Sequence, residues 1–286
     1  MIAITGATGH LGRLTVQALL ARGVPASDLV ALVRDPAKAA DLAAQGVQVR
    51  HADYHQPDTL RTALQGVQRL LLISSNDFND RVGQHRHVIQ AARDAGVTLL
   101  AYTSILNADT TPMLLAGDHQ ATETLIRESG LPFVFLRNGW YIENYTDSLA
   151  QTLAQGGMIG SAGEGRLTPA ARQDYAEAAA AVLSTAGHEG QAYELGGDQA
   201  LTLSDLAADI SRVSGQPVTY TNMPVDEYTR TLMGFGLPEG TATVFADADA
   251  GIERGDLATN SGDLRRLIAR PSTPAADVIR AALGAQ

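Results

Sequence analysis

Glycine stands at positions 6, 9 and 12 within the segment Thr5-Gly6-Ala7-Thr8-Gly9-His10-Leu11-Gly12. Glycine adopts backbone angles that other residues resist, and its missing Cβ leaves room for a phosphate beside the main chain. The apolar run Ile2-Ala3-Ile4 precedes the segment, and apolar residues at helical spacing follow it between residues 14 and 20. A strand, a glycine turn and a helix N-terminus in this order are typical of a dinucleotide-phosphate site. The alternative is a tight turn whose glycines serve only the backbone.

Arg34 follows the second apolar run, Leu29–Val33, which is predicted to be a strand. A dinucleotide site that prefers NAD carries an acidic residue at this place, for the ribose hydroxyls. The guanidinium of Arg34 instead suits the 2′-phosphate of NADP and can stack on adenine. Asp35 could serve as the acid one residue later, and a solvated surface arginine is the other alternative. The pattern favours NADPH, with NADP+ as its oxidised form, as the cofactor.

Polar residues also end the next predicted strands, which cover residues 47–53, 69–75 and 99–104. Asp53 could accept a hydrogen bond from the adenine amino group or cap the entry of the next helix, and both interpretations stay open. Ser74, Ser75 and Asn76 are expected to line the ribose and phosphates through backbone and hydroxyl groups. The residues predicted so far to contact the cofactor are Gly6, Ala7, Thr8, Gly9, His10, Leu11, Gly12, Arg34, Asp53, Ser74, Ser75, Asn76 and Thr103.

Predicted strands alternate with predicted helices from residue 2 to residue 136. This alternation predicts an α/β fold, a Rossmann-type doubly wound parallel sheet, whose ligand lies beyond the carboxyl ends of the strands. Residues 1–140 are expected to form the NADP-binding domain, with returning segments within about 155–200. Residues 141–286 are expected to form a smaller C-terminal α/β lobe that is interleaved with the first domain. The cleft between the two would hold the substrate.

Beyond Gly130 the pattern is less regular. Residues 156–165 are glycine-rich and are predicted to be a loop, residues 174–183 a helix and residues 192–195 a strand. A helix is expected over residues 203–215, with Thr202 or Ser204 as its N-cap. Residues 218–220 are expected to form a short strand, and most of residues 226–283 are expected to be helical.

The composition excludes several kinds of protein. The 286 residues contain no cysteine, so disulfides, thiolate catalysis and cysteine-ligated metals are excluded. The formal net charge of −10 argues against a nucleic-acid surface, and the apolar runs are too short to cross a membrane. His85, His87 and His119 lack carboxylates at ligand spacing, so no metal site is predicted. Met1 leads directly into the first strand, so we expect no targeting segment and a cytoplasmic protein.

Several motifs resemble those of one known family. The start Met-Ile-Ala-Ile-Thr-Gly-Ala-Thr-Gly-x-Leu-Gly resembles the NmrA-like group of atypical short-chain dehydrogenases. A more specific resemblance, to the bacterial NAD(P)H:quinone oxidoreductases of type 2, extends over nearly the whole chain. Triphenylmethane-dye reductases are similar to a lesser degree. The motifs that carry the specific resemblance are Val33-Arg34-Asp35-Pro36, Leu72-Ile73-Ser74-Ser75, Ala101-Tyr102-Thr103-Ser104 and Leu136-Arg137-Asn138-Gly139-Trp140-Tyr141.

This resemblance implies an enzyme that passes a hydride from NADPH to a quinone without flavin or metal, and it allows for a homodimer. Asn138 and Tyr141 are the predicted catalytic residues. A neutral amide can orient the nicotinamide carboxamide or a quinone oxygen, and Tyr141 can form an aromatic wall with Trp140. Core packing of these three residues is the alternative. The resemblance also implies that two segments reach the nicotinamide half of the cofactor: Asn138, Gly139, Trp140, Tyr141, Ile142 and Glu143, and Pro169, Ala170, Ala171, Arg172, Gln173 and Asp174.

Ordinary short-chain dehydrogenases protonate a carbonyl with a tyrosine, whose pKa is lowered by a lysine four residues later. Lys38 is the sole lysine of this chain, and no tyrosine stands four residues before it. His119 and Glu123 occupy the place where such a pair is expected and share a helix face; we interpret them as structural, with a weak proton source as the alternative.

Quinone reduction suits a site of this kind, because the phenolate-like product needs only a weak proton donor. Two other functions stay open. One is an NADP(H)-sensing regulator without turnover, and the other is a reductase of triphenylmethane dyes or other xenobiotics.

Overall fold

The computed structural model describes residues 1–77 and 79–284. Its strands form one large sheet in the order β3-β2-β1-β4-β5-β6-β8, with every neighbouring pair parallel, and a separate parallel pair of β7 and β9. The strands are β1 (Ile2–Thr5), β2 (Leu29–Val33), β3 (Gln48–His51), β4 (Arg69–Leu72), β5 (Leu99–Ile105), β6 (Phe133–Asn138), β7 (Gly157–Gly160), β8 (Gln191–Leu195) and β9 (Thr219–Asn222).

Helices connect the strands, and short 3₁₀ turns cover Ala26–Asp28 and Pro36–Ala39. The helices are α1 (His10–Ala21), α2 (Ala40–Ala44), α3 (Pro57–Ala63), α4 (Arg81–Asp94), α5 (Leu114–Glu128), α6 (Glu143–Thr146), α7 (Leu149–Gln155), α8 (Arg172–Ser184), α9 (Leu203–Ser214), α10 (Val225–Gly234), α11 (Glu239–Arg254), α12 (Asp263–Ile268) and α13 (Ala275–Gly284).

The large sheet is covered on both faces. All five residues of β2 are buried, as expected for a parallel strand between two layers of helices. Leu19 of α1 and Tyr175 of α8 belong to the core on one face, and Val88 of α4 and Ile126 of α5 belong to the core on the other. The strand order reverses between β1 and β4, so the crevice for a ligand lies at the carboxyl ends of these two strands. The predicted fold class is therefore confirmed.

The chain returns to the large sheet after leaving it. Strand β8 pairs with β6, and helix α8 packs against α1 on one face of the sheet. A third core, which includes Ile142, Leu206 and Ile252, is formed largely by later residues around the β7–β9 pair. The boundaries that we expected for two interleaved domains stay a prediction, and residues 285 and 286 of the second lie outside the described residues.

Local predictions differ in their outcome. The predicted loop at residues 156–165 is wrong, because Gly157–Gly160 pairs with β9. Glycine is favoured within that strand, since a Cβ at Gly160 would lie 2.5 Å from Oδ2 of Asp249, which would have to move. Of the two N-caps considered for α9, Thr202 is the one present, in a capping box with Asp205. None of the helices within residues 1–77 and 79–284 combines the length and apolar character needed to cross a membrane.

Candidate functional site

The glycine turn joins β1 to α1. Gly6 has a φ of +57°, in the left-handed region that favours glycine. The Gly9 N–H donates to the Gly6 carbonyl at 2.9 Å and closes the turn. A Cβ at Gly12 would lie 2.4 Å from the Gly6 oxygen, so only glycine lets the helix lie against the turn. Gly12 therefore serves helix packing, whereas the first turn of α1 has no capping side chain and keeps its N–H groups for an anion.

The other residues of the turn differ in how far they are exposed to solvent. Gly9 and His10 are exposed and Thr8 is half-buried, at the open side of the turn. Ala7 and Leu11 are buried, so any contact that they make with a ligand uses the main chain. The predicted contacts of these residues stay predictions.

Thr5 fixes the point where the strand order reverses. Its hydroxyl donates to the Leu71 carbonyl of β4 at 3.1 Å and accepts from the Ile73 N–H at 2.9 Å. The Tyr54 hydroxyl donates to the Thr5 hydroxyl oxygen at 2.5 Å and connects the segment after β3 to strands β1 and β4. Sequence analysis missed Thr5 and Tyr54 as positioning residues, because no local pattern indicates a hydrogen bond across three strands.

The segment after β4 is held by two side chains of neighbouring elements. The Ser74 N–H donates to the Thr103 hydroxyl at 2.9 Å, and the Ser75 N–H donates to Nε2 of His85 at 2.9 Å. These groups are occupied within the protein, whereas Asn76 is exposed. Cofactor contacts by Ser74, Ser75 and Thr103 stay predictions. A contact by Ser75 would compete with the bond from its hydroxyl to Gln84 and the bond that its carbonyl accepts from Arg81.

His85 is a neutral positioning residue. Because Nε2 accepts the Ser75 N–H, we assign the ring proton to Nδ1, which lies 2.9 Å from the Thr122 hydroxyl. Burial, with the nearby Arg81 guanidinium, lowers the pKa of His85 to about 3. In the sequence, this histidine was considered only as a metal ligand; the structure shows that it holds the loop after β4.

Arg34 lies exposed directly beyond β2, where its charge acts on the Tyr54 hydroxyl. Within the described part of the chain, its guanidinium forms no ion pair or hydrogen bond. Asp35 is already engaged, since its Oδ1 accepts the Ala37 N–H at 3.1 Å and caps the next 3₁₀ turn. The guanidinium thus keeps its donors for a ligand, and Asp35 is occupied as a cap.

Asp53 stabilises the turn that follows β3. Its Oδ1 accepts the His55 N–H at 3.0 Å, and its Oδ2 accepts from Gln56 at 3.2 Å. The carboxylate therefore acts within the turn before α3 rather than as the N-cap of that helix, which is Gln56. Its hydrogen bond to adenine stays a prediction.

Asn138 ends β6 and is only 5% exposed. Its Nδ2 donates to the Tyr141 hydroxyl at 3.2 Å, whereas its Oδ1 has no hydrogen-bond partner among the described residues. A buried amide oxygen without a partner costs about 1–3 kcal/mol, so such an atom calls for a ligand or water that satisfies it. The group that satisfies Oδ1 of Asn138 must be a hydrogen-bond donor.

Tyr141 is packed as an aromatic wall. Its ring meets Tyr175 edge-on with 5.1 Å between the centroids, and the Arg172 guanidinium lies 5.4 Å from its centroid. Burial raises the pKa of Tyr141, so the residue stays a phenol and orients the Asn138 amide.

The two segments that the resemblance assigns to the nicotinamide half lie side by side. The Ile142 N–H donates to the Ala170 carbonyl at 3.1 Å, and the Ala170 N–H donates to the Trp140 carbonyl at 3.1 Å. Both carboxylate oxygens of Glu143 accept the Arg172 N–H, at 2.9 and 3.0 Å, at the start of α8. The chain thus brings these segments together at the carboxyl end of β6. Contacts of Gly139, Pro169, Ala171 and Gln173 with a cofactor stay predictions.

The Asp174 side chain has its partners within the protein. The residue is fully buried, and its oxygens accept from Arg270 at 2.7 Å and from the Thr273 N–H and hydroxyl at 2.7 and 2.9 Å. The carboxylate is thus occupied within the protein, and the predicted contact of Asp174 with the cofactor stays a prediction. Asp174 anchors the segment that precedes α13.

His119 and Glu123 have separate partners. Nδ1 of His119 lies 2.8 Å from the Tyr102 hydroxyl, and burial lowers the pKa of His119 to about 3. Glu123 is 1% exposed and accepts from Arg137 at 2.7 Å and from Ser104 at 2.6 Å. Both residues are therefore structural, but they do not act as a pair.

The geometry fits a bound dinucleotide. The N-terminus of α1 offers N–H groups for phosphates, Arg34 offers a free guanidinium, and Asn138 offers a buried acceptor. Over the ranges 1–77 and 79–284, no three His, Asp or Glu side chains are grouped to hold a metal ion.

Comparison with known proteins agrees with this geometry. Residues 6–186 match the family described as NAD(P)H-binding. The chain belongs to this NAD(P)H-binding family. Three similar proteins match this chain over nearly its full length, which confirms the resemblance seen in the motifs.

Three similar proteins are informative. Quinone oxidoreductase 2 of Escherichia coli K12 is 50% identical, over 98% of this chain and 97% of that protein. The crystal structure of the NADPH-dependent quinone oxidoreductase QOR2 of E. coli with NADPH matches with a TM-score of 0.95, over 99% and 100% of the two chains, at 50% identity. The triphenylmethane reductase of Citrobacter sp. with NADP(H) matches with a TM-score of 0.93 at 40% identity, over 99% and 100% of the two chains.

Proposed function

We propose that this member of the NAD(P)H-binding family is an NADPH-dependent quinone reductase that needs neither flavin nor metal. The observation that carries the proposal is the buried Oδ1 of Asn138, an acceptor without a partner among the described residues at the carboxyl end of β6. The name and bound cofactor of the 50% identical E. coli relative support the same conclusion. A homodimer and a cytoplasmic location stay predictions.

Each part of the site has a proposed role. The N-terminus of α1 binds the pyrophosphate, and Arg34 binds the 2′-phosphate through its free guanidinium. NADPH supplies the hydride when it is bound. Asn138 accepts a hydrogen bond from the nicotinamide carboxamide, and Tyr141 holds the Asn138 amide and packs beside the reacting groups.

The lack of a tyrosine–lysine pair in the sequence favours a quinone over a ketone. Lys38 lies after β2, in the 3₁₀ turn Pro36–Ala39, remote in sequence from His119 and Glu123, which have structural partners. A quinone accepts a hydride with little help from an acid, because the charge that develops on its oxygen is that of a phenolate. Positioning by Asn138 and Tyr141 then accounts for most of the catalysis.

The test is a turnover assay with purified, flavin-free protein. NADPH and 1,4-naphthoquinone are mixed with the protein, and the loss of NADPH absorbance is followed. We expect multiple turnovers per protein molecule and slower turnover with NADH. Tight binding of NADPH without turnover would instead identify a sensor of the cofactor.

A triphenylmethane dye is the second candidate acceptor, because the Citrobacter triphenylmethane reductase is 40% identical over nearly the full chain. The same assay with a dye in place of the quinone compares the two by their kcat/KM values. We expect the higher value for the quinone.

A further inference from the structure

Tyr145 has a buried hydroxyl without a hydrogen-bond partner in the described structure. The residue lies in α6, directly after the segment 138–143, and its ring packs with Trp140 against the third core. The Trp140 side chain lies beside the hydroxyl. An indole N–H can only donate, however, so the phenolic proton of Tyr145 still lacks an acceptor. A phenylalanine would fill the same space, so the hydroxyl itself needs an explanation.

The groups around this hydroxyl belong to the C-terminal lobe. Asp249 of α11, Tyr228 of α10 and Tyr220 of β9 all act on it electrostatically. Asp249 is 6% exposed, and its Oδ2 accepts the Ser161 N–H at 2.8 Å. The Tyr220 hydroxyl is fully engaged, since it accepts the Ala162 N–H at 3.0 Å and donates to Asn222 at 3.1 Å. Among the hydroxyls of Tyr145, Tyr220 and Tyr228, only that of Tyr145 is buried without a hydrogen-bond partner in the described structure.

The local charge limits what can bind there. The charged groups that act on this hydroxyl and on the neighbouring Tyr220 are the carboxylates of Asp249, Glu253 and Glu164. These negative charges would repel a phosphate of the cofactor. A neutral acceptor atom, such as a carbonyl oxygen, would accept a hydrogen bond from the phenolic O–H without electrostatic repulsion.

We propose, on the basis of the proposed function, that the Tyr145 hydroxyl donates a hydrogen bond to a carbonyl oxygen of the quinone. Tyr145 then marks the acceptor side of the site, and the segment from Asn138 to Tyr141 marks the cofactor side. The short run from residue 138 to residue 145 therefore contacts both reactants.

The reaction balances with Tyr145 as a donor that keeps its proton. Hydride addition places two electrons and one proton on the quinone, and the hydroquinone monoanion takes its second proton from solvent. Burial raises the pKa of Tyr145 well above its ordinary value, so the residue stays protonated throughout. It orients the quinone oxygen for hydride transfer.

A binding experiment tests this assignment apart from turnover. The protein is loaded with NADP+, which cannot reduce a quinone, and 1,4-naphthoquinone is titrated while the intrinsic fluorescence is followed. We expect Tyr145→Phe to weaken quinone binding about three- to tenfold, as for the loss of one hydrogen bond. Tyr220→Phe is the matched control, because its hydroxyl already has partners in the protein, and quinone binding should change less than twofold.

Two further measurements separate the outcomes. The dissociation constant of NADPH should be the same for Tyr145→Phe and the unchanged protein, and the melting temperature of Tyr145→Phe should be equal or higher because an unsatisfied group is removed. Unchanged quinone binding by Tyr145→Phe would overturn the assignment and leave an ordered water as the partner. Weaker NADPH binding would also overturn it, by placing Tyr145 at the cofactor. Absence of turnover in the unchanged protein would contradict the proposed function alone.

Discussion

Asn138 donates a hydrogen bond from Nδ2 to the Tyr141 hydroxyl at 3.2 Å, while Oδ1 of the same amide is buried without a partner in the described chain. This bond fixes the orientation of the amide, because Nδ2 must face Tyr141 and Oδ1 must face the other way. The amide oxygen is thus held in place before any ligand binds. Groups that are oriented in advance need no reorganisation during the reaction, which is the main way that a site without a general acid can accelerate it.

Asn138→Ala should lower kcat for the quinone by about tenfold to a hundredfold or more. The variant removes the oriented acceptor at the reacting centre but few packing contacts. Its melting temperature should therefore change little, and its affinity for NADPH should fall only about three- to tenfold, as for the loss of one hydrogen bond to the carboxamide. Steady-state kinetics, NADPH titration and thermal unfolding measure the three quantities.

Tyr141→Phe is the matched variant. It keeps the aromatic wall and removes only the hydrogen bond that orients the amide, so we expect a smaller loss, about two- to tenfold in kcat. If Asn138→Ala melts early and binds no cofactor, Asn138 is a packing residue and the catalytic interpretation fails.

Arg34→Ala should weaken NADPH binding by roughly 1.5–3 kcal/mol, or about ten- to a hundredfold, and leave NADH binding nearly unchanged. The reason is that the Arg34 guanidinium has no partner within the described residues and would lose only its bond to the 2′-phosphate. Arg13→Ala is the control, because Arg13 is already paired with Asp41. Equal losses for NADPH and NADH would show that Arg34 supports the fold instead.

The sequence predicts the sheet better than it predicts the contacts around the site. Strands such as β2 are continuous apolar runs between helices, and their positions follow from that pattern. Strand β7 escaped prediction because two of its four residues are glycine, which is depleted in strands unless a neighbour such as Asp249 excludes a Cβ.

The site itself is predicted unevenly. The glycine turn and Arg34 are visible locally, since both follow apolar strands. Asn138 and Tyr141 were found only through the resemblance of their motif. His85, Thr5 and Tyr54 hold the loops of the site through partners that are 10 to 68 residues away, and no local pattern could indicate them.

Stability should rise with pH between about pH 4 and pH 6.5. The pKa values of His85 and His119 are about 3 in the folded protein, against 6.5 when unperturbed. Below pH 6.5 the unfolded chain therefore binds protons that the folded protein does not. The stability that these histidines give is fully present above pH 6.5 and is lost as the pH falls towards 3, at up to about 1.4 kcal/mol per pH unit for each.

The raised pKa of Asp249 gives the stability the opposite dependence on pH. Burial raises its pKa from 3.8 to about 6, so the folded protein binds this proton first and loses stability as the pH rises from about 4 to 6. Urea unfolding at several pH values measures how steeply the free energy of unfolding rises with pH. This rise should be shallower for the double variant His85→Gln, His119→Gln and steeper for Asp249→Asn. A pH dependence equal to that of the unchanged protein would show that these groups titrate normally.

The enzyme should reduce electron-poor quinones and fail on simple ketones and aldehydes. Hydride addition to a ketone makes a strongly basic alkoxide, for which a general acid is worth roughly 10²–10⁴ in rate. Addition to a quinone makes a phenolate-like oxygen with a pKa of about 10, which needs far less help from an acid.

His119 and Glu123 stand where an acid would be expected, but His119 is hydrogen-bonded to Tyr102 and Glu123 to Arg137. His119→Gln should therefore keep quinone turnover within about tenfold, because positioning dominates the rate. A substrate panel measured with the unchanged protein and with this variant decides the matter. Comparable kcat/KM values on ketones, or loss of quinone turnover in a variant that still folds and binds NADPH, would reveal a general acid at this position.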